Sequence, residues 1–545
     1  LHRYDTLSRV VDNVGSGLLG LTMGCVRCHS HKFDPIPHQD YYRLMAIFAA
    51  AYNPADWKRP IDRYLPDVSA SDQAEIARQN AEIDARAADC QQRLEALRRP
   101  RRQRLFTQKL ASVPKALRED VTKALDTPAD KQSEVERYLS AKFAAMLKVS
   151  ADEVKGALGD AEKSQDASLE REIADLKGSK PHFGRIQALW DVGQPPDIHE
   201  LMRGNLETPG PVVKPGFISV LCNAGESSAV RPADTMGASS GRRLAFAHWL
   251  TSRDHPLAAR VMVNRIWEHH FGKGIVATPE NFGRSGAPPT HSELLDYLAV
   301  DFMEHGWHIK RLHKLMMTST AYRQSSSRPP EGQAQLADPE NLLLWRMNLR
   351  RIEAEVLRDT VLSVSGKLDP TMGGAPIPLV SNPDGLVIVP DKGPAPSGQW
   401  RRSMYLRALR GSHPSGKGFV LSMLEIFDFP EIVINCTRRT NSTTPLQSLA
   451  LINSGFMLEQ ARHFAGRVRG LTSDQSGPEA QVEAAFFLAI ARPPSGAEMR
   501  ICLAHLRTQA EIYSQLKMTP TQAAEQALAS LCLMLFASNE FLYIG

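Results

Sequence analysis

The sequence holds only 7 cysteines in 545 residues and lacks any long hydrophobic run. Two of the cysteines lie close together near the start of the chain. The others are scattered, which argues against a disulfide-stabilised fold. The longest apolar stretch, Ala527 to Ala537, is about half as long as a membrane-spanning helix requires, so we expect no transmembrane segment. The isolated cysteines are Cys90, Cys222, Cys436, Cys502 and Cys532.

Neither sign of charge dominates the chain, whose formal net charge is +5. Basic runs such as Arg98–Arg102 and Lys310–Arg311 come without a groove-reading motif, so we interpret them as solvated faces. Nucleic acid is therefore not expected as a partner. With 42% hydrophobic and 23% charged residues, the composition is that of an ordinary globular protein. Its length allows a core for about two to four domains.

One short motif prescribes a specific chemistry. In Cys25-Val26-Arg27-Cys28-His29 two thiols lie three residues apart and an imidazole follows directly. This is the spacing for covalent attachment of a c-type haem, in which both thiols form thioethers with vinyl groups of one porphyrin and the histidine lies beneath the iron. The motif therefore predicts haem c bound through Cys25 and Cys28, with His29 as the proximal iron ligand.

Zinc is the alternative cofactor for the same segment. Cys25, Cys28, His29 and His31 form a set of two cysteines and two histidines within seven residues. Structural zinc sites usually take their ligands from two separated pairs, and the sequence contains no second pair of this kind. The spacing therefore favours haem over zinc.

The second axial ligand of the predicted haem iron has several candidates. His31 is excluded, because two axial ligands need Cα atoms about 12 Å apart, whereas residues two apart are separated by at most roughly 7 Å. Met23 and His38 are the candidates close to the motif, and His269 and His270 are those far along the chain. If no residue occupied the second axial position of the iron, a reaction at the iron would be favoured over simple electron transfer.

The residues around the motif and in the C-terminal half carry a wider similarity. Gly20–Cys25 leads into Cys28–Ile36, and Asp40–Leu44 follows. This segment resembles the cytochrome-like domain of large secreted planctomycete proteins, which carry an N-terminal cytochrome c segment, this second CxxCH domain and a C-terminal domain of unknown function. The resemblance covers residues 1–60 and about 180–545. Short motifs in the C-terminal half follow the order of that last domain: Ser240–Ala245, Asn264–Trp267, His269–Gly272, Gly274–Val276, Phe282–Gly283, Pro289–His291, Glu293–Asp296, Ala321–Gln324, Phe427–Asp428, Gln447–Leu451 and Asn539–Phe541.

The resemblance implies an exported protein, periplasmic or secreted. In this family the CxxCH domain has a long lead-in, whereas this chain begins at Leu1 without a charged region followed by an apolar one. We therefore expect an N-terminally truncated sequence with an export signal upstream of Leu1. Because the family occurs in polysaccharide-degrading bacteria, the resemblance also implies an alternative function. This is a glycan-binding or glycan-degrading protein in which the CxxCH motif is structural or binds zinc.

Composition and the family resemblance together divide the chain into four segments. Residues 1–62 form a partial cytochrome-like CxxCH domain, 63–178 a helical insertion, 179–237 a Pro-rich connector and 238–545 a helical C-terminal family domain. In the insertion a repeat of seven residues is typical of a coiled coil, so we expect a projecting two-helix arm that offers a surface for assembly. The residues of this repeat are Ile76, Ile83, Cys90 and Leu97, with Ala87 and Leu94 between them.

Helical periodicity dominates the C-terminal half, so the fold is predicted to be mainly α with minor β. The cytochrome-like segment is too short to bury a haem and build a core alone, so we expect it to dock on the C-terminal domain. Thr290 to Glu293 has the pattern of a capping box. Helices are predicted over Arg242–Thr251, Ala258–His270, Ser292–His305, Ile309–Thr318, Arg350–Ser365, Thr444–Arg469, Gly477–Ala491, Gly496–Gln515 and Pro520–Ser538, and strands over Gly385–Val389 and Ser403–Leu406.

One predicted helix carries a charged face that bears on function. Arg351, Glu355 and Arg358 would lie on one side of the Arg350–Ser365 helix. Such a face stabilises a helix surface, and an arginine-rich face of this kind also suits anionic groups such as sulfate or carboxylate.

These observations together predict a c-type haem protein that acts in electron transfer or a haem-linked oxidoreductase step outside the cytoplasm. Its expected partner is a redox protein. In the alternative function the partner is a glycan. The sequence assigns no catalytic residue.

Overall fold

The computed structural model describes residues 2–59, 62–128, 130–223, 227–231, 239–327, 333–390, 398–408, 420–430, 436–472 and 477–545. The fold is mainly α, which confirms the predicted class. The chain divides into two compact units, one of Leu1–Trp57 with Asp191–Gly545 and one of Lys58–Trp190. The predicted insertion of residues 63–178 falls within the smaller unit. The predicted boundary at 237/238 lies outside the described residues.

The larger unit begins with a helical segment that buries one face. Helix α1 (His2–Val14) places Leu7 and Val11 in the core and passes into a π-helical turn, Gly15–Leu19. Gly20 ends this turn with φ +59°, a conformation that glycine adopts without strain. A Cβ atom at Gly20 would come within 2.8 Å of the Phe282 ring, so the packing there also requires glycine.

Helix α2 (His38–Phe48) is the buried centre of this region. Its side chains form a core with α1, with an antiparallel hairpin of β3 (Ile198–Leu201) and β4 (Pro209–Val213), and with α8 (Arg242–Leu250). The buried carboxylate of Asp40 accepts hydrogen bonds from the backbone N–H of Ser219 at 2.7 Å and from its hydroxyl at 2.6 Å. These bonds fix α2 against the chain that follows the hairpin.

The N-terminal segment also packs on the first helices of the C-terminal half. The Phe282 N–H donates to Gly20 O at 2.7 Å, and Arg265 donates to Gly17 O at 3.0 Å. The Arg284 N–H donates to the carboxylate of Asp34 at 2.8 Å. The next core lies among α9 (Ala258–Phe271), α10 (Ser292–Glu304) and α11 (Ile309–Met317).

The last third of the chain is a helical bundle with its own core. Phe464 and Phe536 meet at its centre with ring centroids 5.2 Å apart, and the free cysteines Cys502 and Cys532 are buried in the same core. The bundle contains α13 (Ala354–Val364), α14 (Ser422–Ile426), α15 (Pro445–Asn453), α16 (Gly455–Leu471), α17 (Gly477–Ile490), α18 (Gly496–Gln515), α19 (Pro520–Phe536) and α20 (Asn539–Leu542); the short helix α12 (Gln333–Ala337) precedes it.

Two helix predictions are wrong in detail. The helix predicted over Thr444–Arg469 is broken at Ser454, which is extended (φ −69°, ψ 139°) and caps the next helix by accepting from the Met457 N–H. The helix predicted over Arg350–Ser365 begins only at Ala354. Arg350 and Arg351 form strand β5 instead, because they pair with β8 (Tyr543–Ile544) at the end of the chain.

The capping box predicted for Thr290 and Glu293 is also wrong. No side chain caps α10, whose N-cap residue is His291. Thr290 instead donates its N–H to Ile275 O at 2.9 Å and its hydroxyl to the same oxygen at 3.3 Å. The Thr290 hydroxyl therefore binds a residue of another loop, a contact that cannot be read from the local sequence.

The β content is limited to short pairs within the described residues. Strand β6 (Val380–Ser381) pairs with β7 (Val387–Ile388), so the predicted strand at Gly385–Val389 is partly present. The strand predicted over Ser403–Leu406 is wrong for Ser403–Tyr405, which forms a 3₁₀ turn, whereas Leu406 makes an isolated β-bridge with Ile377. In the smaller unit, β1 (Tyr64–Pro66) pairs with β2 (Arg185–Gln187).

The smaller unit is built on one long helix. Helix α3 (Ala70–Leu110) packs against α7 (Asp160–Gly178), and its Ala87, Cys90 and Leu94 meet Leu169, Ile173 and Leu176. Arg98 on α3 donates to the carboxylate of Asp166 on α7 at 2.7 Å. A second core joins the end of α3 to α4 (Arg118–Asp126) and α5 (Glu134–Leu147), followed by α6 (Ala151–Gly156).

Residues 58–190 are expected to fold when expressed alone, because both cores of the smaller unit are made of residues within that segment. Circular dichroism should show a helical spectrum and a cooperative thermal transition. Leu169→Asp should abolish that transition, since Leu169 is 3% exposed, whereas Val135→Asp at a 68% exposed position should leave it. A segment without cooperative unfolding would contradict the expectation.

No helix among the described residues is both long enough and apolar enough to cross a membrane.

Candidate functional site

The CxxCH motif begins inside a short 3₁₀ helix, Met23–Arg27, and Cys28 caps the C-terminal end of this helix. A 3₁₀ helix has three residues per turn, so residues three apart lie on the same face. Met23 and Val26 are 1% and 0% exposed and form the inner face, whereas Cys25 and Cys28 are exposed free thiols on the outer side. The spacing of the two cysteines therefore matches the period of the helix that presents them.

His29 lies in the bend directly after this turn and is exposed on the open surface. Its Nδ1 is 2.7 Å from the Ser30 carbonyl oxygen. A carbonyl oxygen only accepts hydrogen bonds, so Nδ1 carries the proton and donates it. In the neutral imidazole this leaves the lone pair on Nε2 free, which is the tautomer that binds a metal through Nε2.

A turn from elsewhere in the chain lies against Cys28. Gly204 has φ +73°, and a Cβ atom at that position would be 3.0 Å from Cys28 Sγ and 3.2 Å from Arg27 O. Arg203 before it is also left-handed, with φ 52°. Sequence reasoning missed this turn. The only local signal is the Gly204-Asn205 pair, which is typical of turns but does not indicate what the turn contacts.

His31 is buried and both of its ring nitrogens are engaged. Nδ1 accepts from the Asp34 N–H at 2.9 Å, so Nε2 carries the proton and donates to the Thr22 hydroxyl at 3.0 Å. His31 therefore closes the loop after the motif and is not free to serve as the fourth ligand of the zinc alternative. Within the described residues there is no group of three or more His, Cys, Asp or Glu side chains placed to hold a metal ion.

His38, one candidate for the second axial ligand, instead binds the backbone of the motif. Its Nε2 is 3.0 Å from Arg27 O, and its Nδ1 is 2.7 Å from the carboxylate of Glu200. The Tyr42 hydroxyl donates to the same Arg27 oxygen at 2.7 Å, and burial raises the pKa of Tyr42 to about 12, so it stays a donor. Iron binding by His38 would require breaking one of its two contacts.

The other candidate near the motif is Met23, which is 1% exposed and packs against Gly15. Its thioether would have to leave the core to reach a haem iron outside the turn. Neither local candidate is therefore free in this conformation.

The two distant candidates lie in the last turn of α9. His269 is exposed and lines a cavity of about 740 Å³ together with Arg265. His270 Nε2 is 2.7 Å from His313 Nδ1, and burial, together with the neighbouring His313, lowers the pKa of His270. In the part of the chain that the structure describes, no hydrogen bond, ion pair or ring contact joins either histidine to the CxxCH motif.

Two protein-family profiles match the chain. Residues 242–506 are similar to a protein of unknown function (DUF1553). Residues 1–53 are similar to a second protein of unknown function (DUF1549). Both matched segments lie in the larger unit, and they support the domain-of-unknown-function part of the planctomycete resemblance. No curated protein and no solved structure matches the chain.

Proposed function

We propose that this chain carries one c-type haem, attached through Cys25 and Cys28 with His29 as an axial ligand. Its function would be electron transfer or a haem-linked oxidoreductase step outside the cytoplasm. The observation that supports this proposal is the outward turn on which two exposed thiols, three residues apart, are followed by an imidazole with a free Nε2.

The donor set fits this group chemically. The thiols of Cys25 and Cys28 are free and exposed, so no protein contact has to be broken before thioethers form. Ser30 fixes the tautomer of His29 through the Nδ1–H bond, which is the usual way a protein orients a metal-binding imidazole. A bound haem would supply one-electron redox chemistry at its iron.

The remaining residues of this region position the motif. His38 and Tyr42 hold the Arg27 carbonyl at the end of the 3₁₀ turn, and His31 closes the following loop through Thr22 and Asp34. We propose that these contacts keep the two thiols on one side of the chain. His269 and His270 are the remaining candidates for the second axial ligand.

Three further parts of the proposal start from the sequence. We propose that the protein is exported, that its cytochrome-like segment docks on the C-terminal domain, and that it assembles through a coiled-coil insertion. A glycan-binding or glycan-degrading protein is the second candidate function, and the polar cavity beside His269 favours it.

The proposal is tested by producing the chain in cells that contain haem-attachment machinery. We expect a reduced haem spectrum that survives denaturation and acid extraction, and a peptide holding residues 25–29 whose mass includes haem. The proposal would be overturned if the protein produced in such cells had both thiols of the motif free and no bound haem.

His29 and His31 form a matched pair, because one is exposed and the other is buried only two residues away. His29→Ala should change the spectrum of the haem-loaded protein and leave the stability of the haem-free protein unchanged. His31→Ala should lower the free energy of unfolding of the haem-free protein by about 1–3 kcal/mol, because the Asp34 N–H loses its acceptor. Urea denaturation and absorbance measure the two effects. Equal destabilisation by both substitutions would contradict the assigned roles.

A further inference from the structure

A second candidate site is the cavity of about 740 Å³ in the larger unit, which we call the arginine cleft. Most of its lining comes from α9 and the turn that follows it, from strand β5 with its neighbours, and from the loop of residues 436–443; Pro430 and Tyr543 complete it. Two carboxylates, Glu268 and Glu353, also face it. The six cationic residues that line it are Arg265, Lys273, Arg350, Arg351, Arg438 and Arg439.

Carboxylates of the described residues compensate only part of this positive charge. Arg439 makes a two-pronged ion pair with Glu355 at 2.6 and 2.8 Å and lies 3.3 Å from Glu353. Lys273 pairs with Glu340 at 3.3 Å. Among the described residues, no carboxylate lies within ion-pair distance of the other four guanidinium groups, those of Arg265, Arg350, Arg351 and Arg438.

Neutral acceptors hold three of these four arginines in place. Arg351 donates to Ser442 O and to the Gln447 side chain, and Ser442 is itself fixed by the carboxylate of Asp428. Arg350 donates to His269 O. Arg265 donates to Gly17 O at 3.0 Å. Carbonyl and amide oxygens orient a guanidinium without cancelling its charge, so the described part of the cleft keeps an excess of positive charge.

Two further observations show that acceptors are lacking here. The Nε atoms of Arg265 and Arg350 are buried without any hydrogen-bond acceptor among the described residues. The guanidinium of Arg438 is exposed and makes no hydrogen bond with the described residues. A buried donor without an acceptor costs free energy, and a ligand with several acceptor oxygens would supply counter-charge to the cleft and acceptors to the exposed guanidinium of Arg438.

The surroundings of Glu268 disfavour its negative charge. Burial raises the pKa of Glu268, and the nearby Glu280 acts in the same direction, against the opposing effects of Arg438 and Arg265. Its protonated form is thereby favoured. A negative ligand would favour that form further, since it repels the ionised carboxylate.

We propose that the arginine cleft binds a sulfate or phosphate group carried by a small polar molecule. Guanidinium groups pair with such oxyanions through paired N–H bonds, which explains the choice of arginine at most of the cationic positions. The cavity volume lies in the range of small-molecule sites and exceeds what a single inorganic ion fills. Binding at this site does not require a haem, although His269, which lines the cleft, is also a candidate axial ligand in the haem proposal.

The test is calorimetric titration of the full chain at constant ionic strength. The probes are sodium sulfate, sodium phosphate, glucose 6-sulfate and glucose 6-phosphate, with chloride as the reference. We expect saturable binding of an oxyanion, tighter for the ester than for the inorganic ion, and the preferred ester identifies sulfate or phosphate. Binding that chloride matches at equal ionic strength, or no saturable binding, would overturn the proposal.

Two substitutions with opposite expected effects on ester affinity, together with a control, test the site further. Arg438→Gln removes a side chain without bonds to the described protein, so the fold is preserved, and it should weaken ester binding about tenfold or more. Glu268→Gln should strengthen binding about threefold, because it removes a repelling charge. Arg402→Gln changes net charge by the same amount outside the cleft and should have no effect. Equal weakening by Arg402→Gln and Arg438→Gln would mean nonspecific attraction and would overturn the site.

Cys436 offers a second readout on the unmodified chain. It lines the cleft and is exposed, with its thiol 3.2 Å from Arg438 O. A bound ester should slow alkylation of Cys436 by iodoacetamide while Cys25, exposed in another part of the unit, reacts at an unchanged rate. Peptide-resolved mass spectrometry measures both rates. Labelling of Cys436 that a saturating ester does not change would contradict occupation of the cleft.

Discussion

Replacing both Cys25 and Cys28 with alanine is expected to abolish covalent haem attachment entirely. The two thioethers would be the only covalent links between chain and porphyrin, so acid extraction should then remove all haem absorbance from the denatured protein. Each single substitution should leave one thioether and therefore retain covalent haem in reduced yield. The measurement is absorbance of the denatured protein after acid extraction, normalised to protein mass.

Cys436→Ala is the matched control, because Cys436 is also an exposed free cysteine but belongs to a different segment. Its haem content should equal that of the unmodified chain. Covalent haem retained in the double variant would mean that attachment occurs elsewhere and would refute the assignment of the motif.

A large loss of stability is expected for Arg358→Met. Arg358 is 2% exposed, and its guanidinium donates to Gln399 O at 2.7 Å and to Arg401 O at 2.9 Å. Methionine retains the packing volume but supplies no donor, so both carbonyl groups lose their partners. The free energy of unfolding should fall by about 2–6 kcal/mol, because each of the two buried carbonyl groups left without a donor costs about 1–3 kcal/mol.

Tryptophan fluorescence during urea denaturation measures this loss well, because six of the seven tryptophans belong to the larger unit that contains Arg358. Arg402→Met is the control. Arg402 is 46% exposed and lies 3.6 Å from Asp359, so its substitution should cost less than about 1 kcal/mol. Similar losses for the two variants would show that the buried hydrogen bonds of Arg358 contribute little.

The helices with strong local periodicity were predicted closely from the sequence. Helix α18 occupies the predicted residues Gly496–Gln515, and α9 ends one residue beyond the predicted His270. Prediction failed where a distant contact overrides local preference. Arg350 and Arg351 suit a helix, yet they pair with the end of the chain as a strand. Ser454 interrupts a continuous apolar pattern because it caps a new helix.

The candidate haem site was also only partly accessible to sequence reasoning. The identity and spacing of Cys25, Cys28 and His29 are in the sequence, and a three-residue helical period explains why both thiols lie on one side. The contacts of His31 and His38 are not deducible in this way. His38 meets Glu200, and Gly204 lies against Cys28, across more than one hundred intervening residues that include the smaller unit.

The sequence by itself therefore determined the mainly α class, most helix positions and the CxxCH motif, whose residues are adjacent in the chain. Only the tertiary structure decided the arginine cleft. Arg265, Arg350 and Arg438 come from three distant segments and no periodic pattern joins them. Whether an arginine is neutralised depends on which carboxylates the fold brings within a few ångströms. Local periodicity does not contain that information, because it describes one element at a time and charge compensation depends on how several elements meet.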